Sequence, residues 1–480
     1  MRRFLAALAA LCALLVGPAS AQTAAWSPQP WLEDLAQMRA AIETKYANLE
    51  YLLTEREFDL AGLFERAGAA IRQARSDADA IAVFNRVVQR IADGHVTISW
   101  PRPAGAAAPA PAPTPQSFCR ALGFDPSPAG IGPALSGYTP VATGDVLPAG
   151  TARIGGLTAG ILRIAKFEPG SAPSLCAEAL AAHAIPLDRP CSDACRDTVY
   201  TAAYARLTAA LEDRLRALRA SGAGLLVVDV TGNGGGSEWV QAVARTLTRR
   251  EIAAQPMGFV RGPHWAGTWS RLAERLRGFA QTASPTDRSR LLAWAAQADA
   301  ARAEAERRCP PRSDPACPWL GRAGFATGLV GSLPAGAFAG KDWGPWVFNP
   351  AQYPYHDGVW DGPVVVLVDE HTASAAEEFA ALLQDNGVAV VVGGRTAGLG
   401  CGHTWGGTPT RLANSGATLS LPDCARFRAD GSNEVRGVLP DLVLPWRAID
   451  GAAFRARMLE EALPEAARRA RALYRGRRGG

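Results

Sequence analysis

Leu225-Leu-Val-Val-Asp-Val-Thr-Gly-Asn-Gly-Gly-Gly236 and Val364-Val-Val-Leu-Val-Asp-Glu-His-Thr-Ala-Ser-Ala-Ala-Glu-Glu-Phe379 are the two stretches that decide the fold. Each is an apolar run of strand length that ends in small or polar residues and leads into a helical pattern. A strand that stops in this way exposes backbone N–H groups at a helix N-terminus, where an oxyanion can be held. Ser374 stands at the second junction, where its hydroxyl can act as a nucleophile. The pair points to nucleophilic chemistry on an α/β scaffold.

The alternation extends outward from these runs. Gly160 to Phe167 reads as a strand, Tyr200 to Ala220 and Glu238 to Thr248 as helices, 374–386 as a helix and 388–393 as a strand. Residues 264–308, rich in Ala, Arg and Glu at helical spacing, predict an inserted helical hairpin, and the proline and glycine of 309–362 predict loops. A β-hairpin turning at Asn414-Ser-Gly416 follows, then Arg436 to Leu444 and a last helix from about 452. Toward the N-terminus, Trp31 to Ala92 predicts three helices near 31–48, 56–74 and 77–92, ending at Asp93-Gly-His95 and a short β-like run to Trp100. The expected organisation is a signal peptide at 1–21, a helical domain at 22–100 and an Ala/Pro linker at 101–116. An α/β core at 117–450 and a C-terminal helix with a basic tail at 451–480 complete it.

Arg2 and Arg3, the apolar run Phe4 to Leu15 and Ala19-Ser-Ala21 have the form of a secretory signal. No later segment is long and apolar enough to be a transmembrane helix, so the expected location is secreted or periplasmic. Beyond Cys12, the cysteines are Cys119, Cys176, Cys191, Cys195, Cys309, Cys317, Cys401 and Cys424. An even set after export suggests disulfides. Cys401 with Cys424 across the hairpin, and Cys309 with Cys317 around a proline-rich loop, are the pairs the sequence favours. Their spacings match no common zinc pattern, and no metal or cofactor is expected. The charge excess is small, and the arginines of 468–478 read as a solvated helix end, so no nucleic-acid partner is expected. Lysine is confined to Lys45, Lys166 and Lys341.

These residues resemble the superfamily of carboxy-terminal processing proteases and tricorn-type core proteases. The resemblance rests on Asp229 to Gly236, on Ser374-Ala-Ala-Glu377 with Gln384-Asp-Asn-Gly387, on Arg395-Thr-Ala-Gly-Leu-Gly400 and on Glu434-Val-Arg-Gly-Val-Leu-Pro-Asp441. It implies a core similar to the crotonase and caseinolytic-protease folds, and a serine peptidase acting on peptide or unfolded protein. In the lysine-dependent branch the general base lies in the segment after the next strand, where this chain has Leu399. A Ser–Lys dyad at that position is excluded, since leucine takes no proton. The tricorn-like branch uses serine, histidine and glutamate, and His95 and Glu434 are similar to its histidine and glutamate positions.

The resemblance thus implies Ser374 as nucleophile, His95 as base and Glu434 as the group that orients His95. The oxyanion donors are expected to be the N–H groups of Gly235 and Ala375, with Gly234 and Gly236 the alternatives by register. Each role has a plainer reading beside it. Ser374 could be an N-cap, His95 a helix C-terminal histidine, Glu434 a loop carboxylate and the glycine run a tight turn. Thr372 is the rival nucleophile, and His371 and His403 are the rival bases. Asp385 is expected to support structure. The family's peptide-binding PDZ domain has no room between His95 and Gly160, and the 264–308 hairpin is positioned to replace it as a lid or guide. The competing function is a non-catalytic ligand- or peptide-binding protein on the same fold. A crotonase-like acyl-CoA enzyme is disfavoured by export.

Overall fold

The computed structural model describes residues 26–101, 114–154, 156–307, 309 and 317–478. The expected signal peptide and most of the Ala/Pro linker fall outside these residues. Helices α1 (Gln29–Lys45), α2 (Leu49–Thr54), α3 (Leu60–Gln73) and α4 (Asp77–Ile91) come first. The first expected helix is divided because Tyr46 turns extended, and α2 restarts beyond it. The side chains of Asp59 and Ser76 accept the Gly62 and Asp79 N–H groups and so start α3 and α4. The apolar faces of these helices do not close on themselves. Ile42, Phe84 and Ile91 share a core with Trp319, Leu412, Leu419 and Phe427 from the far end of the chain.

Then follow β1 (Thr97–Ser99), α5 (Pro115–Ala121), β2 (Thr139–Ala142), β3 (Ala149–Ile154), β4 (Leu157–Arg163), α6 (Pro173–Ala182) and α7 (Asp193–Ala220). Next are β5 (Leu225–Asp229), α8 (Trp239–Thr246), β6 (Pro256–Val260), α9 (Pro263–Thr282), α10 (Pro285–Glu306), β7 (Leu320–Phe325) and α11 (Gly344–Val347). The chain continues through β8 (Val364–Val368), α12 (Ala375–Asp385) and β9 (Ala389–Gly393). It ends in β10 (Thr410–Arg411), β11 (Thr418–Ser420), β12 (Cys424–Arg426), β13 (Leu442–Val443) and α13 (Ala452–Arg478).

A seven-stranded sheet in the order β13-β9-β8-β5-β4-β3-β2 forms the centre. Its members from β13 to β4 pair in parallel, and β3 and β2 extend it antiparallel. Because successive side chains alternate in face, the uninterrupted apolar runs of β5 and β8 feed two cores at once. Leu226, Val228, Val364 and Val366 pack with α7, α8 and α12, whereas Leu225, Val227, Val365 and Leu367 pack under α13. The parallel register sets Asp229 beside Leu367, so β5 and β8 release their loops at the same edge. Crevices for chemistry form at such carboxyl ends. Here the loops are stitched together: the Gly232 N–H donates to Asp369 Oδ1 at 2.8 Å, the Ala373 N–H to the Asn233 carbonyl at 2.9 Å, and Thr372 Oγ1 to the Val230 carbonyl at 3.1 Å.

The helical hairpin at 264–308 is present as α9 and α10, and the β-hairpin as β10 and β11. The expectation of loops alone in 309–362 is corrected by β7, which joins β6 and β12 in a separate three-stranded sheet. Pro256 and Gly258 in β6, and Gly321 and Gly324 in β7, disguise both as loop. The reason for the glycines is spatial: a Cβ at Gly321 would lie 2.5 Å from the Phe259 ring. Pairing across the sheet therefore outweighs the weak local propensity.

Disulfides join Cys401 to Cys424 and Cys309 to Cys317, the pairs favoured by the sequence, and also Cys119 to Cys176 and Cys191 to Cys195. The Cys401–Cys424 bridge spans 23 positions and ties the segment after β9 to β12. Replacing both cysteines by alanine is expected to lower the unfolding free energy by about 2–4 kcal/mol, measured by denaturant titration against wild type. An unchanged midpoint and slope would show that the loop is held without it.

Candidate active site

Ser374 begins α12 at the end of β8, as the sequence predicts. Its backbone does not have the β-region geometry of an ordinary N-cap: φ is 55° and ψ is −117°. A side-chain-bearing residue rarely adopts this conformation, which costs on the order of 1–3 kcal/mol and persists only when neighbours impose it. Those neighbours are visible. The Ser374 N–H donates to Glu377 Oε2 at 3.0 Å, and its carbonyl accepts from the Glu378 N–H at 3.0 Å and from Arg426 Nη2 at 3.1 Å. Gly235 is packed so closely that a Cβ there would sit 2.8 Å from the Ser374 Cβ. Thr372, the rival nucleophile, is fully buried with its hydroxyl committed to the Val230 carbonyl.

Two charged groups missed by the sequence reading hold this turn. Glu377 is buried and also accepts from Thr396 Oγ1 at 2.6 Å and the Leu399 N–H at 2.8 Å, so one carboxyl ties Ser374 to the segment after β9. Burial pushes its pKa up, and these hydrogen bonds pull it back. Arg426, at the end of β12, is the second. Its Nη2 donates to Glu434 Oε1 at 2.6 Å and to the Gly400 carbonyl at 3.0 Å, and its Nη1 lies 3.2 Å from Glu378 Oε2. Burial works against the Arg426 charge, yet Glu434 and Glu378 outweigh it and hold the guanidinium protonated, above its ordinary pKa. An arginine that closes a strand and is followed by Phe427 carries no sequence signal of this kind.

Glu434 is buried, but its carboxylate belongs to Arg426. No hydrogen bond joins it to His95 among the described residues, where the resemblance leads one to expect an orienting contact. His95 Nδ1 instead lies 3.2 Å from the Leu399 carbonyl. The side chain of Leu399 fills the space over Gly94, where a Cβ would meet both leucine methyls at 2.9 Å. Leu399 thus meets the histidine through its backbone carbonyl, with its methyls packed over the neighbouring Gly94. Burial pushes the His95 pKa down, with Asp93 and the Leu399 carbonyl acting in the opposite sense. A ring that stays neutral is fit to accept a proton.

His403 is exposed and stands edge-to-face with His95, ring centroids 5.9 Å apart. His371 is exposed beyond the β8 end. Asp385 bridges Arg428 at 2.6 Å, the structural part expected of it. The Gly235 N–H, an expected oxyanion donor, is already given to Asn233 Oδ1 at 2.9 Å. The Gly235 carbonyl accepts from the Phe167 N–H at 2.8 Å, so the trans peptide sends the Gly236 N–H the other way. The N–H groups of Gly236 and Ala375 have no acceptor among the described residues. No cluster of potential metal ligands occurs among the described residues.

A carboxyl-terminal-processing protease of Picosynechococcus sp. is 36% identical over 91 residues, which are 18% of this chain and 20% of that protein. The chain therefore matches only about a fifth of the length of that relative. Among solved structures, mature CPAF superposes with a TM-score of 0.58 at 14% identity, covering 92% of this chain and 98% of that one. Mature CPAF complexed with lactacystin gives 0.57 at 13% identity, covering 92% and 99%. At these identities the likeness is one of fold. The sequence model of peptidase family S41 matches residues 199–444, the span that carries the glycine run, the Ser374 junction, Arg426 and Glu434, and with more than half of its length so matched the chain belongs to that family.

Proposed function

We propose that this protein is an exported serine peptidase that hydrolyses peptide bonds in peptide or unfolded protein substrates, with Ser374 as nucleophile and His95 as base. The observation that carries this reading is the strained turn at Ser374, imposed by Glu377 and Arg426 at the mouth of the parallel sheet. His95 takes the Ser374 proton as the hydroxyl attacks the peptide carbonyl, then returns it to the leaving amine. The Leu399 carbonyl fixes the tautomer by accepting the Nδ1 proton, which leaves Nε2 as the acceptor. The oxyanion is held by the N–H groups of Ala375 and Gly236, and the α12 dipole adds to this stabilisation. Glu434 acts at one remove, by keeping Arg426 on the Ser374 carbonyl. Export is supported by the disulfides between described residues.

The α9–α10 hairpin fits a substrate guide. His264 at its start faces the Asp423 carboxylate at 3.2 Å and the Thr404 carbonyl at 2.9 Å, one residue from His403.

One observation favours the binding-protein reading: no hydrogen bond joins Ser374 to His95 among the described residues. Catalytic hydrogen bonds commonly tighten only around bound substrate.

The pH profile tests the base. Protonated imidazole cannot accept the serine proton, so activity rises as pH rises through the His95 pKa. Since burial lowers that pKa, the acidic limb of kcat/KM is expected below the ordinary histidine value near 6.5. An acidic limb at or above that value would remove His95 from the role.

A further inference from the structure

A cavity of about 630 Å³ lies apart from Ser374 and His95, with neither residue in its lining. That is the size of an ordinary small-molecule site. Arg245 on α8 borders it and is 3% exposed. Its Nη1 is fixed, donating to the Gln241 carbonyl at 2.9 Å and to Gln241 Oε1 at 2.7 Å. Gln241 is itself held by Glu378, so the guanidinium cannot turn freely. Arg245 Nη2 is buried and has no hydrogen-bond partner among the described residues. An orphaned donor on a buried charged group is costly, and such a group calls for an anion.

The rest of the cavity defines what that anion carries. Phe338, Phe348, Tyr353 and Tyr355 supply aromatic walls, and the Arg245 guanidinium lies 4.8 Å from the Phe348 ring centroid. Burial drives the Tyr355 phenol well above its ordinary pKa, so it remains a neutral donor within the field of Arg245. Lys341 at the exposed edge adds positive charge, although its ammonium is engaged by Asp287 at 2.7 Å. Two carboxyl groups oppose an anion. Asp342 is exposed to solvent, and burial pushes Asp357 toward its protonated form. With Arg245 the one buried guanidinium of this lining, the cavity suits a ligand with a single negative group.

We propose that this cavity binds a small aromatic monocarboxylate, its carboxylate received by the Tyr355 hydroxyl in the field of the Arg245 guanidinium and its ring among the aromatic walls. The site does not depend on the peptidase reading, since none of its residues takes part in that chemistry.

Calorimetric titration with N-acetyl-phenylalanine and with its uncharged amide tests the assignment. The acid is expected to bind saturably, and the amide at least about tenfold more weakly, as loss of one charge-assisted hydrogen bond implies. Tyr355→Phe is expected to weaken the acid several-fold, and Arg245→Gln to abolish its binding. Circular dichroism identifies an Arg245→Gln protein that has not folded, and Tyr355→Phe then carries the test. Equal affinity for acid and amide, no saturable binding of the acid, or binding unchanged in both variants would overturn the proposal. The last outcome would place the acid in the peptidase cleft as a product mimic.

Discussion

Arg426→Met is expected to destabilise the protein by about 3–5 kcal/mol and to abolish hydrolysis with it. The side chain is a single buried cation facing Glu434 and Glu378, both buried. Removing it leaves two carboxylates without compensation and frees the Ser374 and Gly400 carbonyls, so the cost is that of breaking a buried network rather than of losing one contact. Arg426→Lys is expected to recover part of the stability but little activity. An ammonium supplies the charge without the planar fork that reaches Glu434 and two carbonyls together. Denaturant unfolding with parallel kinetics checks both. A methionine variant as stable as wild type would show that the network is neutral, as some buried ion pairs are when apolar groups replace them.

Ser374→Ala is expected to lower kcat/KM on an unstructured protein substrate by at least about a thousandfold, with secondary structure unchanged. His95→Ala is expected to lose a similar amount, and the double variant little more, as the proposed nucleophile and base would act as a unit. Ser374→Gly separates function from stability. Glycine accepts a φ of 55° without strain, so this variant is expected to be inactive yet no less stable than Ser374→Ala. An active Ser374→Ala protein would exclude this serine as nucleophile.

Much of the fold is legible in the sequence because its signals are strong and local. The apolar runs of β5 and β8, the small residues after them and the helical spacing of 264–308 each state their structure within a dozen or so residues. The strands β6 and β7 do not, because Gly258, Gly321 and Gly324 are there to let other parts of the chain approach. The candidate site divides in the same way. Ser374 and the glycine run are legible as a strand-to-helix junction, but the cation that holds them is Arg426, 52 positions later on a strand of another sheet. Glu377 reads as a helix residue until its contacts are seen. Leu399 reads as the loss of a base, whereas its carbonyl faces His95 Nδ1, and a backbone group cannot be read from residue identity.

If this turn activates the Ser374 hydroxyl, a fluorophosphonate probe followed by peptide mapping reads that activation at the residue itself. The account predicts stoichiometric modification on Ser374, lost in Ser374→Ala and strongly slowed in His95→Ala while labelling elsewhere stays at background. Absence of label on Ser374 in the folded protein would contradict this reading and favour a binding protein on the family's fold.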